Sequence, residues 1–142
     1  MGNELEQVAV SDEIVRRLID DAERHLTTAA AALSSGDLSG AYHLAYDAFR
    51  KSAASLLAAQ GLRATSRGGH IAIQDAIAAQ FGASVAAFRS FSRIRRARNA
   101  FEYPSIDTPG PSADDVDDAI SLATRAREAA TTIHAQKLLS PW

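Results

Sequence analysis

The sequence S-V-A-A-F-R-S-F-S-R-I-R-R-A-R-N-A-F-E-Y-P at residues 84–104 has apolar side chains at spacings of three and four, typical of one buried face of an α-helix. The apolar positions are Val85, Phe88, Phe91, Ile94, Ala97 and Phe101. We expect Ser84 to cap this helix and Pro104 to end it, because proline lacks an N–H and disfavours helical geometry in the preceding residue. The helix therefore carries a polar group to its C-terminal end: Arg98, Asn99, Glu102 and Tyr103.

Positive charge is concentrated on the same predicted helix. Its five arginines are Arg89, Arg93, Arg95, Arg96 and Arg98. The whole chain nevertheless has a formal net charge of −2, and four aspartates are clustered at residues 114–118. Net charge therefore does not mark the protein as a general nucleic-acid binder, and its basic surface is local.

Bulk composition is typical of a small globular protein. Its 142 residues are enough for one domain with a hydrophobic core. The absence of cysteine excludes disulfides and thiolate metal sites. No apolar run approaches the roughly 20 residues that span a bilayer. The start M-G-N-E-L-E-Q also lacks the basic and apolar regions of a signal peptide. We therefore expect a cytoplasmic protein with no membrane partner.

Helical periodicity also predicts three helices before this segment. The first is expected over residues 11–34 with Ser11 as its N-cap, and the second begins after the cap residue Asp37. A shorter third helix ends at Gly82, and residues 62–69 before it are expected to form a loop. The second helix has aromatic residues at core spacing, which we interpret as packing residues: Tyr42, Tyr46 and Phe49.

A fifth helix follows a proline-rich connection. Ser112 and Asp115 resemble a capping box at its start, and the helix is expected to reach about residue 139. No segment shows the alternation of a β-strand, and residues 1–10 are expected to form a flexible N-terminus. The sequence therefore predicts one all-α domain over residues 11–139, an up-and-down bundle of four to five helices.

The four histidines do not indicate a metal site. They lie on four different predicted elements, and the pairs Asp21/His25 and His43/Asp47 come without a third ligand in a recognised spacing. Histidines paired with neighbouring carboxylates explain this pattern better. We therefore expect no metal and no cofactor.

Arg98 has two interpretations that the sequence leaves open. Four residues before Glu102, it can form an ion pair that stabilises a helix by roughly a few tenths of a kcal/mol. Alternatively, its planar guanidinium lies at a helix end beside Asn99 and Tyr103, where it can bind a phosphate through two hydrogen bonds.

The sequence R-N-A-F-E-Y at residues 98–103 resembles the R-N-x-x-x-H motif of HEPN domains, a family of small helical proteins. The resemblance extends to the second helix, A-Y-H-L-A-Y-D-A-F-R-K-S-A-A-S-L-L-A-A-Q-G-L-R, and to the S-R-G-G-H turn, and so covers residues 38–104 in the expected order. It implies a bundle that dimerises with the two motif helices facing each other across a shared cleft. Many HEPN proteins are metal-independent endoribonucleases of toxin–antitoxin or other defence systems. Others bind nucleotides, RNA or partner proteins without catalysis.

The resemblance also implies roles for individual residues. In the enzymes of the family the Arg stabilises the scissile phosphate, and the His transfers a proton during attack by the ribose 2′-OH. Arg98 and Asn99 match the motif, but Tyr103 stands in place of the His. A tyrosine hydroxyl ordinarily has a pKa of about 10 and is a poor base at neutral pH, although it can donate a hydrogen bond. Glu102 lies about 100° away around the helix and is the other candidate. Two neighbouring arginines are expected as auxiliary phosphate contacts: Arg95 and Arg96.

We therefore expect a homodimer that binds RNA or a nucleotide phosphate and acts as a weak, atypical endoribonuclease, with a cognate antitoxin as a further partner. The alternative is a catalytically inactive interaction module, in which Arg98 pairs with Glu102 or with Asn99 across the dimer. A third interpretation is that a partner nucleotidyltransferase modifies Tyr103, as occurs on a tyrosine near the motif in some HEPN toxins.

Overall fold

The computed structural model describes residues 5–64, 69–81, 86–103, 105–107 and 109–136. Within these residues the α-helices are α1 (Asp12–Ser35), α2 (Leu38–Ala59), α3 (Gly69–Phe81), α4 (Phe91–Glu102) and α5 (Ala113–Ala135). Two short strands, β1 (Leu5–Gln7) and β2 (Leu62–Ala64), and a 3₁₀ helix, Ala86–Ser90, complete the described elements. The predicted all-α class is confirmed. None of the described helices is both long and apolar enough to cross a membrane.

The capping residues that the sequence predicts begin three of the helices. The Ser11 hydroxyl accepts a hydrogen bond from a first-turn N–H of α1 at 3.3 Å, and the Asp37 carboxylate accepts one from α2 at 2.9 Å. At α5 both bonds of the capping box are present: Asp115 N donates to Ser112 Oγ at 3.1 Å, and Ser112 N donates to Asp115 Oδ2 at 2.9 Å. These bonds satisfy N–H groups that have no partner inside a helix. Residues 137–139, to which the last helix is expected to extend, lie outside the described residues.

α2 is the central helix of the bundle. It packs mainly against α1 and α5, and α3 and α4 contact it as well. Twelve of its residues are buried, among them Tyr42, Tyr46 and Phe49. The rings meet α4 edge-on, with the centroids of Phe49 and Phe91 5.0 Å apart and those of Tyr46 and Phe91 6.3 Å apart. The prediction that the aromatic residues of α2 are packing residues is confirmed.

The predicted helix over residues 84–104 is divided in two. The 3₁₀ helix precedes α4, so the prediction of one continuous helix is wrong. Phe88 of the 3₁₀ helix and Phe91 at the start of α4 both contact Phe49, with ring centroids 5.9 Å and 5.0 Å away. The expected cap and stop of the segment lie outside the described residues: Ser84 and Pro104.

A two-stranded antiparallel ribbon joins the N-terminal segment to the chain that follows α2. Glu6 of β1 lies opposite Arg63 of β2, and the two side chains form an ion pair. The Val8 N–H extends the pairing by donating to the Gly61 carbonyl at 2.7 Å. The sequence predicts neither strand, because it assigns residues 1–10 to a flexible terminus and the other segment to a loop. Three-residue strands are too short for their alternation to be recognised.

Candidate functional site

α4 turns an apolar face to the core and a polar face to solvent. Phe91 and Ile94 are buried, and Phe101 is partly buried against the same core. The Phe101 ring meets the Tyr42 ring of α2 edge-on, with centroids 4.9 Å apart. This contact fixes the last turn of α4 on α2, and with it the backbone that carries residues 98–102.

Arg98 is held by three neighbouring side chains. Its Nη1 lies 3.1 Å from Glu102 Oε2 and donates to Asn99 Oδ1 at 3.3 Å. Its Cζ lies 5.5 Å from the centroid of the Tyr46 ring, within the range of a cation–π interaction. The side chain is 23% exposed, and its Nε is buried with no hydrogen-bond partner among the described residues. The predicted ion pair with Glu102 is therefore present, and the guanidinium has a fixed orientation.

Tyr46 places a neutral aromatic ring against this guanidinium. Its side chain is fully buried, and this burial raises the pKa of Tyr46 to about 12, although the charges of Arg50 and Arg98 lower it. The hydroxyl therefore stays protonated at neutral pH. The sequence places Tyr46 in the core but does not predict its contact with Arg98, because periodicity within one helix does not report which residues of two helices meet.

The outer surface of the site consists of exposed side chains at the end of α4. Asn99, Glu102 and Tyr103 are exposed, and Tyr103 is 76% accessible to solvent. Ile106, in the segment that follows, is also fully exposed. The four residues of the predicted motif therefore meet at one end of α4, with Arg98 mostly covered and the others at the surface.

The other arginines of α4 differ in their partners. Arg93 Nη1 forms an ion pair with Asp118 of α5 at 2.9 Å, and Arg95 Nε donates to Gln74 Oε1 of α3 at 2.8 Å. Arg96 is exposed. Of the two predicted auxiliary phosphate contacts, Arg96 therefore lies on open surface, whereas Arg95 has one donor committed to α3. The sequence gives no signal for the Gln74 contact, since it joins two separate helices.

Two histidines interact with other parts of the bundle. His25 Nε2 lies 2.8 Å from Lys51 Nζ, and His134 Nε2 lies 3.0 Å from Ser55 Oγ. Burial lowers the pKa of both imidazoles, and the charge of Lys51 lowers the pKa of His25 further. Both rings are therefore neutral at neutral pH. Across the described residues, no group of three or more His, Cys, Asp or Glu side chains could hold a metal ion.

The end of α4 is suited to holding an anion. A guanidinium stays charged at every physiological pH and can give two parallel hydrogen bonds to one phosphate or carboxylate. At Arg98, the carboxylate of Glu102 already occupies one of those donors. A phosphate at this guanidinium would compete with Glu102, whose side chain is 39% exposed.

Comparison with known protein families identifies a match. A family model described as HEPN domain matches residues 15–133, a span that begins within α1 and ends within α5. No curated protein and no solved structure matches the chain.

Proposed function

The chain belongs to the HEPN domain family, and we propose that it binds RNA or a nucleotide phosphate through Arg98 at the end of α4. Membership of the family supports an RNA-related or nucleotide-binding role. One observation carries the assignment to this site: the Arg98 guanidinium is oriented by Tyr46, Asn99 and Glu102 at the edge of solvent.

The phosphate binds to the Arg98 guanidinium, which is planar, always charged and able to donate two parallel hydrogen bonds. Glu102 holds Nη1 while the site is empty, and the phosphate takes its place when RNA binds. The exchange replaces one charge-assisted contact by another, so its cost is small relative to creating an unpaired charge. Arg96 is exposed next to this end of the helix and adds positive charge along the path of the RNA backbone.

The protein acts as a homodimer that pairs the ends of two α4 helices. Tyr103 and Ile106 are two of the four large apolar side chains that are exposed in the described part of the chain. Apolar side chains grouped on one surface favour contact with a partner. A twofold axis at this surface brings the Arg98 side chains of both copies to one cleft, which then offers two guanidiniums to one RNA strand.

The reaction that fits this site is a metal-independent cleavage of RNA, in the manner of a toxin or defence endoribonuclease. The ribose 2′-oxygen attacks the adjacent phosphorus, the bond from phosphorus to the 5′-oxygen breaks, and the products are a 2′,3′-cyclic phosphate and a 5′-hydroxyl. Arg98 stabilises the charge on the phosphate oxygens. Tyr103 donates a hydrogen bond and Glu102 is the available carboxylate, so proton transfer is poor and turnover is slow.

The second candidate is a catalytically inactive module that binds a protein partner. The contacts of Arg98 with Glu102 and Asn99 favour this candidate, because they give Arg98 a structural role that requires no bound phosphate. A cognate antitoxin or a nucleotidyltransferase is the partner class in that case, and the exposed Tyr103 hydroxyl is accessible to a modifying enzyme.

Cleavage of RNA in EDTA by the purified protein tests the proposal. We expect slow cleavage that leaves 2′,3′-cyclic phosphate ends, and a rate about 10²- to 10³-fold lower in Arg98→Ala, because a preorganised charge on the transition state is lost. Tyr103→His is expected to raise the rate by supplying an acid–base group. Arg93→Ala is the matched control on the same helix, and its rate should equal that of wild type because this arginine pairs with Asp118.

Other outcomes of these assays distinguish an RNA-binding protein from a module that binds a protein partner. Activity that appears only in Tyr103→His identifies an RNA-binding scaffold without its own chemistry. Absence of both cleavage and RNA binding in wild type and in Tyr103→His contradicts the proposal and favours the protein-binding module.

A further inference from the structure

A cavity of about 370 Å³ is lined by residues of α1, α2, α3 and β2 and by the segment between β1 and α1. None of its described lining residues belongs to α4 or to the site around Arg98. Its walls are mostly apolar and include Leu18, Ala54, Leu57, Leu62 and Ile73. A volume of this size is within the range of pockets that hold small organic molecules, roughly 300–1,000 Å³.

Two guanidiniums are the charged groups of this cavity. Arg50 of α2 and Arg63 of β2 line it, and no acidic residue is among its described lining residues. Arg63 is engaged by Glu6 across the ribbon. The cavity therefore combines an apolar interior with two guanidinium groups, each of which also lies near a carboxylate of the same chain.

Arg50 has hydrogen-bonding capacity that the fold does not use. Its Nε is buried and has no hydrogen-bond partner among the described residues. Its Nη2 lies 3.6 Å from an Asp47 oxygen, which is beyond a normal hydrogen-bond distance. A buried N–H without an acceptor is unfavourable unless a further group supplies one. Since Arg50 lines the cavity, an acceptor placed there can reach its guanidinium.

The mouth of the cavity has exposed apolar side chains. Ile14 of α1 lines it and is 47% exposed; Val10, in the segment before α1, is 46% exposed but is not among the described lining residues. These are the other two of the four large apolar side chains exposed in the described part of the chain. Exposed apolar groups around a concave surface are typical of a ligand-binding groove.

We propose that this cavity binds a small amphipathic anion, a carboxylate carried on an alkyl or aryl body. The carboxylate accepts hydrogen bonds from Arg50, in the bidentate geometry that guanidinium groups favour. The apolar body lies against the leucine and isoleucine side chains of the wall and is removed from water there.

The composition of the wall argues against a nucleotide in this cavity. No aromatic side chain is among the described residues that line it, so these offer a base no ring on which to stack. The hydroxyl of Ser11 lines it but already accepts the capping bond of α1. The cavity is therefore a separate site from the phosphate site proposed at Arg98, and the two can be tested independently.

Calorimetric titration with octanoate, and with octanol as the uncharged analogue of the same length, tests the proposal. We expect wild type to bind octanoate at millimolar or lower concentration and more tightly than octanol. In Arg50→Met, which keeps the length of the side chain, octanoate affinity should fall about 10- to 100-fold, the effect of losing a charge-assisted hydrogen bond. Octanol affinity should stay unchanged. Arg17→Met, at an exposed arginine of α1, is the control and should leave both affinities unchanged.

A second variant tests the position of the apolar body without altering charge. Ala54→Leu places extra side-chain volume in the cavity and should weaken both compounds, and far-UV circular dichroism confirms that the helices are retained. Equal affinity of wild type for octanoate and octanol contradicts the proposal, and this comparison needs no variant. Unchanged octanoate affinity in Arg50→Met, or no binding by wild type, also contradicts it. RNA binding is unaffected in any of these cases, so failure here is distinguishable from failure at Arg98.

Discussion

α2 and α4 carry similar aromatic stripes but have different environments. α2 is enclosed by four other helices and buries twelve residues. α4 buries only Phe91 and Ile94 completely, while Ala97 and Phe101 are partly buried against the core and the opposite face carries exposed polar side chains. Side chains on α2 are therefore constrained by packing, whereas the polar residues at the end of α4 are not required by the core. A polar cluster that the fold does not need is a better candidate for function than one that it does.

The largest loss of unfolding free energy is expected from a substitution where α2 packs against α4. Phe49 is fully buried and contacts the rings of both Phe88 and Phe91. Phe49→Ala should lower the free energy of unfolding by about 3–5 kcal/mol, through lost burial and the cavity it leaves. Asn99→Ala, on the exposed face of α4, should change it by less than about 0.5 kcal/mol. Urea denaturation of both variants measures the difference.

Comparable losses of unfolding free energy in Phe49→Ala and Asn99→Ala would contradict the distinction between α2 and α4. In that case the exposed face of α4 would be part of the folding core, and its polar residues would have a structural role.

A smaller effect on stability, which depends on pH, is expected from His134, whose imidazole links α5 to α2. Ser55 Oγ donates its single proton to the Ser52 carbonyl at 2.6 Å, so it accepts a hydrogen bond from His134 Nε2–H at 3.0 Å. Burial lowers the pKa of His134 in the folded state. The unfolded chain therefore binds the proton more readily. Stability is fully present above the unfolded pKa of about 6.5 and is lost as the pH falls from there toward the folded pKa.

The slope of unfolding free energy against pH measures this effect. One such group contributes at most about 1.4 kcal/mol per pH unit within that window. His134→Gln should reduce the slope below pH 6.5, and part of it should remain because the pKa of His25 is lowered as well. A slope identical to that of wild type would show that His134 is not titrating between the two states.

Much of the fold follows from local sequence signals. The caps Ser11, Asp37 and Ser112 act within one helical turn, so they can be predicted from the residues alone. The aromatic spacing of α2 is equally local. The 3₁₀ helix before α4 and the β1–β2 ribbon depend on contacts with distant segments, such as Phe88 with Phe49 and Glu6 with Arg63, and periodicity does not predict them.

The contacts of the candidate site can likewise be divided into those that the sequence predicts and those that it does not. The Arg98–Glu102 pair lies at a spacing of four residues and is predictable. The ring of Tyr46 beside Arg98 and the Gln74 partner of Arg95 come from other helices, and only the folded structure reveals them. The Nε of Arg50 is buried and has no hydrogen-bond partner among the described residues, a property for which the sequence gives no signal.

Binding of single-stranded RNA at several salt concentrations tests the role of Arg98 most directly, with wild type, Arg98→Ala and the control Arg93→Ala compared. We predict that Arg98→Ala binds about 10- to 100-fold more weakly, since a charge-assisted contact is lost. Its slope of log K against log salt should be shallower by about 0.7 for each phosphate contact removed. Arg93→Ala should match wild type. Equal affinity and slope in wild type and Arg98→Ala, or no RNA binding at any salt concentration, would contradict the assignment of Arg98 as the phosphate-binding residue.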